Sequence, residues 1–154
     1  MSDKKRTRRE ETSVLVDTSI IVDVDRGKQN VIDLCKRLTR LNHAFISTVS
    51  VSEILTGAYL RKDYKMAVGK AERVLGQFNW VYLDGEVARM VGQLNAYLIS
   101  NGLPIEYQDV AIAASCLVEG CDLLLTENGD HFKRIPRLKG KVMTPQELTE
   151  KFLA

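Results

Sequence analysis

The sequence predicts an α/β fold, a mostly parallel sheet of about five strands with helices on both faces. Two observations carry that expectation. Short apolar runs recur along the 154 residues, and each is separated from the next by a segment with helical periodicity. Such crossovers are right-handed and lay successive strands parallel.

Val14-Leu15-Val16 reads as a buried strand that ends at Asp17, which places a carboxylate at the mouth of the sheet. From Gln29 to Leu41, Val31, Ile32, Leu34, Cys35, Leu38 and Leu41 share one helical face, with Lys36, Arg37 and Arg40 opposite. Ala44 to Ser47 forms the second strand. Thr48 or Ser50 is expected to cap the helix that runs from Val49 towards Leu60, with Glu53 in its first turns. Met66, Ala67, Ala71, Val74, Leu75 and Phe78 predict a further helix over Tyr64 to Phe78, and Trp80 to Leu83 a third strand.

Asp84 caps a long helix through about Ser100, which Asn101-Gly102 stops and Pro104 keeps from resuming. Glu106 to Val118 is helical, Asp122 to Thr126 is a strand, and Gly140 to Met143 is the last short strand. Thr144-Pro145-Gln146-Glu147 combines a capping box with proline at the first helical position.

Composition narrows the function classes. With 45% hydrophobic and 27% charged residues, the chain suits one globular domain over residues 13–154, preceded by a flexible basic arm at 1–12. Lys4, Lys5, Arg6, Arg8 and Arg9 face Asp3, Glu10 and Glu11 there, so the net +2 of the whole chain resides in that arm. Such an arm suits salt-sensitive contact with a nucleic acid, or simply a solvated tail. The longest apolar or small run, Val110 to Val118, is far shorter than the roughly 20 residues of a membrane span. Asp17 and Asp23 interrupt the only stretch that resembles a secretory signal, which makes the cytoplasm the expected location. Cys35, Cys116 and Cys121 lack zinc-site spacing and read as buried thiols.

Three acids carry the chemistry. Asp17 ends an apolar strand, and its alternative role is to cap a following short helix. Glu53 stands three residues after Ser50, where a capping box is the alternative. Asp109 shares a helical stripe with Ile112, Ala113 and Cys116, so its carboxylate lies on the core-facing side. A carboxylate so placed must cap a helix, pair with a cation or bind a metal. An all-oxygen donor set suits magnesium or manganese. His43 and His131 are too few and too scattered for a histidine-rich zinc centre, and His131 reads as a surface or supporting residue.

Four motifs then appear in order: Val14-Leu15-Val16-Asp17-Thr18-Ser19; Ser50-Val51-Ser52-Glu53-Ile54; Gly102-Leu103-Pro104-Ile105 leading to Asp109-Val110-Ala111-Ile112-Ala113-Ala114; and Leu124-Leu125-Thr126-Glu127-Asn128-Gly129-Asp130-His131-Phe132. Each alone is weak, but the ordered set resembles the PIN-domain family, and within it the small toxins of VapBC-type toxin–antitoxin pairs. The resemblance implies a three-layer α/β/α sandwich and a Mg2+ or Mn2+ site formed by Asp17, Glu53 and Asp109. It places Thr126 and Asn128 on the fourth edge of that site. Many members carry aspartate where this chain has Asn128, and Asp130 follows two residues later, so either completes the site. Ser19, or else Thr18, is expected to orient a carboxylate or a metal-bound water.

The implied activity is hydrolysis of RNA phosphodiester bonds with a metal-activated water, needing no side-chain nucleophile. Lys133, Arg134 and the N-terminal arm are candidate phosphate contacts, with Arg137, Lys139 and Lys141 completing a late basic cluster. The implied partners are a second copy in a homodimer and an antitoxin protein set against the helices from Val49 to Phe78 at Tyr59, Leu60 and Tyr64, residues whose alternative role is to pack those two helices together. The same fold also serves RNA-processing nucleases and non-catalytic RNA-binding modules. A phospho-accepting receiver domain fits less well, because its acceptor aspartate ends a middle strand whereas the second strand here ends at Ser47. Neither G-x-G-x-x-G nor G-x-x-x-x-G-K-[ST] occurs, which leaves out common nucleotide-binding loops.

Overall fold

The computed structural model describes residues 12–153; the basic arm expected at 1–12 falls outside them except for Thr12. Five strands, β1 (Val14–Val16), β2 (Ala44–Ser47), β3 (Asn79–Val81), β4 (Leu123–Leu125) and β5 (Val142–Met143), form one sheet in the order β3-β2-β1-β4-β5. Every pairing is parallel, with Val14 opposite both Ala44 and Leu123. The sheet expected to be mostly parallel is therefore wholly so.

The connecting helices are α1 (Thr18–Asp25), α2 (Gln29–Arg40), α3 (Thr48–Tyr59), α4 (Tyr64–Leu75), α5 (Gly85–Ser100), α6 (Tyr107–Glu119), α7 (Gly129–Lys133) and α8 (Pro145–Leu148). Alternation along the strands divides them between two cores, because successive side chains of a strand point to opposite faces. Leu15 and Leu124 pack with Val87, Val91, Leu94 and Leu98 of α5, with the buried run Val110–Ala114 of α6, and with Phe132. Val14, Val16, Ile46, Leu123 and Leu125 pack on the other face with Ile20 and Ile21 of α1 and with Val31 and Leu34 of α2. The result is an α/β/α sandwich. Full burial of each such aliphatic side chain is worth about 1.5–3 kcal/mol.

Several boundaries differ from the sequence expectation for local reasons. Ser47, not Thr48 or Ser50, caps α3, since its hydroxyl accepts from the Val49 amide at 3.2 Å. β3 lies at Asn79–Val81 rather than Trp80–Leu83 because the Leu83 amide leaves the sheet to donate to Thr48 Oγ1 at 3.2 Å. α4 ends at Leu75 although Phe78 remains buried at 6% exposure, so that ring is anchored from a turn and not from the helix. Asp84 caps α5 as expected, accepting from the Val87 amide at 3.0 Å, and Gly102 turns the chain with φ of 66°. Thr144 caps α8 by accepting from the Glu147 amide at 3.1 Å. Cys35, Cys116 and Cys121 are free and buried. No described helix is long and apolar enough to cross a membrane.

The strand order decides where a site can form. After β1 the chain builds outward through β2 and β3, then returns to place β4 on the other side of β1. The connections diverge there, opening a crevice beyond the carboxyl ends of β1 and β4. Asp17 follows β1 and Thr126 follows β4.

Candidate metal centre and substrate crevice

Asp17 occupies the N-cap position of α1, yet its side chain makes no capping hydrogen bond. Its Oδ2 accepts instead from Ser19 Oγ at 2.9 Å and from Thr126 Oγ1 at 2.8 Å. Both hydroxyls are fully used. Ser19 Oγ accepts from the Glu127 amide at 3.1 Å, and Thr126 Oγ1 accepts from the Asn128 amide at 3.0 Å. Each hydroxyl proton is committed to the carboxylate, so the 3.4 Å approach of Ser19 Oγ to Thr126 Oγ1 is a contact without a proton between them. Thr126 is completely buried and Asp17 only 6% exposed, which makes this a rigid, charge-assisted anchor. Oδ1 takes neither bond.

Glu53 is held separately. Thr18 Oγ1 lies 3.0 Å from Glu53 Oε1 and 2.9 Å from the buried Ser50 Oγ, so the capping box considered for Ser50 and Glu53 gives way to a link between α3 and α1. Thr18 and Ser19 thus divide the supporting role, one for each carboxylate. Asp109, in the first turn of α6, faces His131 of α7, with Nδ1 3.2 Å from Oδ2.

Loss of hydration raises Glu53 above its ordinary 4.5; the Thr18 hydrogen bond opposes the rise, and Asp17 and Asp109 add to it. Asp109 is raised above 3.8, first by burial and then by Asp17 and Glu106, against the lowering effect of His131. Mutual repulsion in a crevice of low hydration is the condition that a cation relieves.

Two hollows meet at the acids. One, of about 420 Å³, is bordered by Asp17, Asp109, Thr126, Asn128, Asp130 and Lys133; the other, of about 480 Å³, by Asp17, Glu53, Asp109, Asn128, Arg26 and Lys28. Asn128 borders both, whereas Asp130 borders only the first. Of the late basic residues proposed for phosphate, Lys133 lines the first hollow. Arg134 lines neither and donates from Nη1 to the Pro104 carbonyl at 3.1 Å.

Arg26, Lys28, Asp23 and Glu127 have no site role in the sequence reading. Arg26 and Lys28 come from the turn after α1, and Lys28 Nζ pairs with Asp23 at 3.2 Å and with Glu127 at 3.8 Å. The signal for Asp23 was present: it is an acid within an apolar helical run, and it is only 8% exposed. His131, expected as a surface or supporting residue, faces Asp109, a pairing over 22 positions that no spacing signals.

The donor set fits a hard divalent ion. It consists of carboxylate oxygens with open space beside them, without a thiolate or a histidine cluster. Among the described residues no three His, Cys, Asp or Glu side chains close into a cage. Magnesium sites commonly take one or two carboxylates, with waters and phosphate completing the shell.

Comparison with known proteins bears on the family and the fold. The family model of the PIN domain matches residues 14–138. Ribonuclease VapC1 of Methanocaldococcus jannaschii is 27% identical over 143 residues, which cover 90% of this chain and 93% of that protein. Ribonuclease VapC of Rickettsia bellii is 29% identical over 129 residues, covering 82% and 92%. In the crystal structure of VapBC2 from Rickettsia felis bound to a DNA fragment from their promoter, one chain superposes with a TM-score of 0.77 at 23% identity. That superposition covers 86% of this chain and 98% of the other and speaks for the fold alone.

Proposed function

The chain belongs to the PIN domain family, and from that membership we propose that it is a metal-dependent endoribonuclease, the toxin of a VapBC-type toxin–antitoxin pair. The observation that carries the reading is the meeting of Asp17, Glu53 and Asp109 at one crevice, each held by a neighbouring side chain. The likeness to two ribonucleases over most of the chain supports the substrate class.

Asp17, Glu53 and Asp109 would hold Mg2+ or Mn2+, and Asn128 or Asp130 would complete the edge of the site. The ion, when bound, supplies Lewis acidity that makes water a nucleophile at neutral pH and offsets charge at the scissile phosphate. Ser19 and Thr126 keep Asp17 from rotating, and Thr18 does the same for Glu53. Lys133 on one wall, with Arg26 and Lys28 on the other, flanks the acids with cations suited to the phosphates on either side of the cut bond. An RNA substrate implies the cytoplasm as the place of action.

The antitoxin belongs to the same reading. An apolar groove of about 380 Å³ runs between α1, α3 and α4, lined by Ile21, Val24, Ile54, Ala58, Ala71 and Val74. Beside it Tyr59, Leu60 and Tyr64 are 61%, 82% and 44% exposed. Such a surface suits an apolar partner segment. The homodimer implied by the family resemblance is checked by light scattering of the purified chain.

The test is incubation of the purified protein with labelled structured RNAs in Mg2+, in Mn2+ and in chelator. Cleavage is expected only with metal. Binding without cleavage in all three conditions would leave an RNA-binding module in place of a nuclease.

A further inference from the structure

We propose that His131 is a positioning residue for Asp109, holding its carboxylate at the edge of the crevice by donation from the ring Nδ1 to Oδ2. The inference rests on the metal-dependent reading above and adds to it a residue outside the acidic set.

The chemistry of the contact fixes its direction. A carboxylate offers only acceptors, so a 3.2 Å approach of Nδ1 to Asp109 Oδ2 is a hydrogen bond when the proton sits on Nδ1. Both the neutral ring in that tautomer and the imidazolium supply it. Donation therefore persists whether or not the ring is charged, and Nε2 is left free to meet water or substrate.

The ring is also carried on a firm support, which separates this pair from an ordinary surface contact. A solvent-exposed ion pair between two mobile side chains contributes little. Here Asp109 is 24% exposed in its side chain, and His131 precedes Phe132, whose ring is 1% exposed in the core. Ile135, three residues on, is fully buried. At the start of the same turn, a Cβ on Gly129 would approach Val142 Cγ1 to 3.1 Å, so α7 lies pressed against β5. His131 thus sits on a turn pinned at both ends, while Asp109 sits on the first turn of α6. The bond between them joins the two elements across the mouth of the crevice that both residues line.

The outer partners of a metal ligand set its orientation, and their loss typically lowers metal affinity by about 10–100-fold. Mn2+ affinity of the full chain, read from the electron paramagnetic resonance signal of free Mn2+, is the direct measurement. His131→Ala should weaken binding by about tenfold or more. His131→Asn, whose amide nitrogen can stand where Nδ1 stands, should restore most of it. Both variants should melt in chelator close to the unsubstituted protein, and in an Asp109→Asn background His131→Ala should have little further effect on Mn2+ affinity. Unchanged Mn2+ affinity in His131→Ala, or equal losses in the alanine and asparagine variants, would overturn the inference alone. A natural-sequence protein that binds no Mn2+ overturns the metal-dependent reading itself, before any variant is compared.

Discussion

Thr126 donates to Asp17 across 109 positions of chain, Oγ1 to Oδ2 at 2.8 Å, and both residues are buried. The bond closes the mouth of the sheet between two parallel strands, with the Asp17 amide reaching the Leu125 carbonyl at 2.9 Å just beneath it. Thr126→Val keeps the shape and removes the hydroxyl, leaving Asp17 short of one donor and the Asn128 amide without its acceptor. The variant should lose about 1.5–3 kcal/mol, the usual worth of a hydrogen bond to a charged group. Urea unfolding in chelator checks this, with a lower midpoint and an unchanged slope. Thr126→Ser should recover most of the difference.

Asn128 and Asp130 compete for the fourth edge of the site, and their placement separates them. Asn128 borders the hollow that holds Glu53 as well as the one that holds Lys133, while Asp130 borders only the latter. Asn128→Ala should therefore lower the cleavage rate by about 10–100-fold, the range for a residue supporting a metal site. Asp130→Ala should change the rate much less. Side-by-side rates on one RNA substrate decide the matter, and the reverse ranking would move the edge of the site to Asp130.

How far the sequence could be read is visible in the same residues. β1, β2 and the Asp84 cap were legible because their signals are local: a β-branched run, an apolar pair, and an acid before a periodic segment. α7 went unassigned because its five residues span too little to show a period, and what holds it is the distant core contact of Phe132. β3 was placed one residue late because Tyr82 and Leu83 look like strand residues, yet they are 64% and 37% exposed where the chain turns towards Thr48. Asp17 was legible from a strand end and Asp109 from a helix stripe, while Glu53 was legible only through its place among the ordered motifs. Ser19, Thr18 and Thr126 were legible as their neighbours, whereas Asp109 with His131 and Arg134 with Pro104 are pairings of tertiary structure that no spacing announces.

The exposed rim of the α3–α4 groove gives a prediction that leaves the crevice untouched. Tyr59 and Tyr64 stack with ring centroids 6.3 Å apart, and Leu60 beside them is 82% exposed. Leu60→Asp should alter stability by no more than about 0.5 kcal/mol, as exposed substitutions usually do. It should preserve RNA cleavage and abolish co-purification with the protein encoded by the adjacent reading frame. Undiminished co-purification would place the partner on another face.

Burial of Glu53 and Asp109, with repulsion from neighbouring acids added to it, sets the pH response of the metal-free protein. Glu53 and Asp109 are raised in the folded state above their ordinary values of 4.5 and 3.8. A carboxyl raised in this way favours folding while protonated, so its contribution is complete below the ordinary value and is lost as pH climbs through the raised one. In chelator the melting temperature should therefore decline from this source as pH rises past about 4, where unfolded carboxyls begin to ionise. A divalent ion that binds only the folded chain should reverse the decline. Asp109→Asn removes one charge and can still accept from His131. It should melt higher than the natural sequence in chelator at neutral pH and gain less from Mn2+. A lower melting temperature with an undiminished Mn2+ gain would make Asp109 a structural partner of His131 only.

If Asp17 anchors a metal-dependent ribonuclease site, its charge is indispensable to cleavage. Asp17→Asn preserves volume and can still accept from Ser19 and Thr126, but it removes the charge that would balance a cation. Rates of cleavage of one labelled structured RNA are measured for both proteins, with Mg2+ or Mn2+ and with chelator. The natural sequence should cut only with metal, and Asp17→Asn should lose more than the roughly 100-fold that a merely supporting residue is worth, with the fold intact by melting. Cutting by Asp17→Asn at the rate of the natural sequence, or equal cutting in metal and in chelator, would contradict a metal site anchored by Asp17.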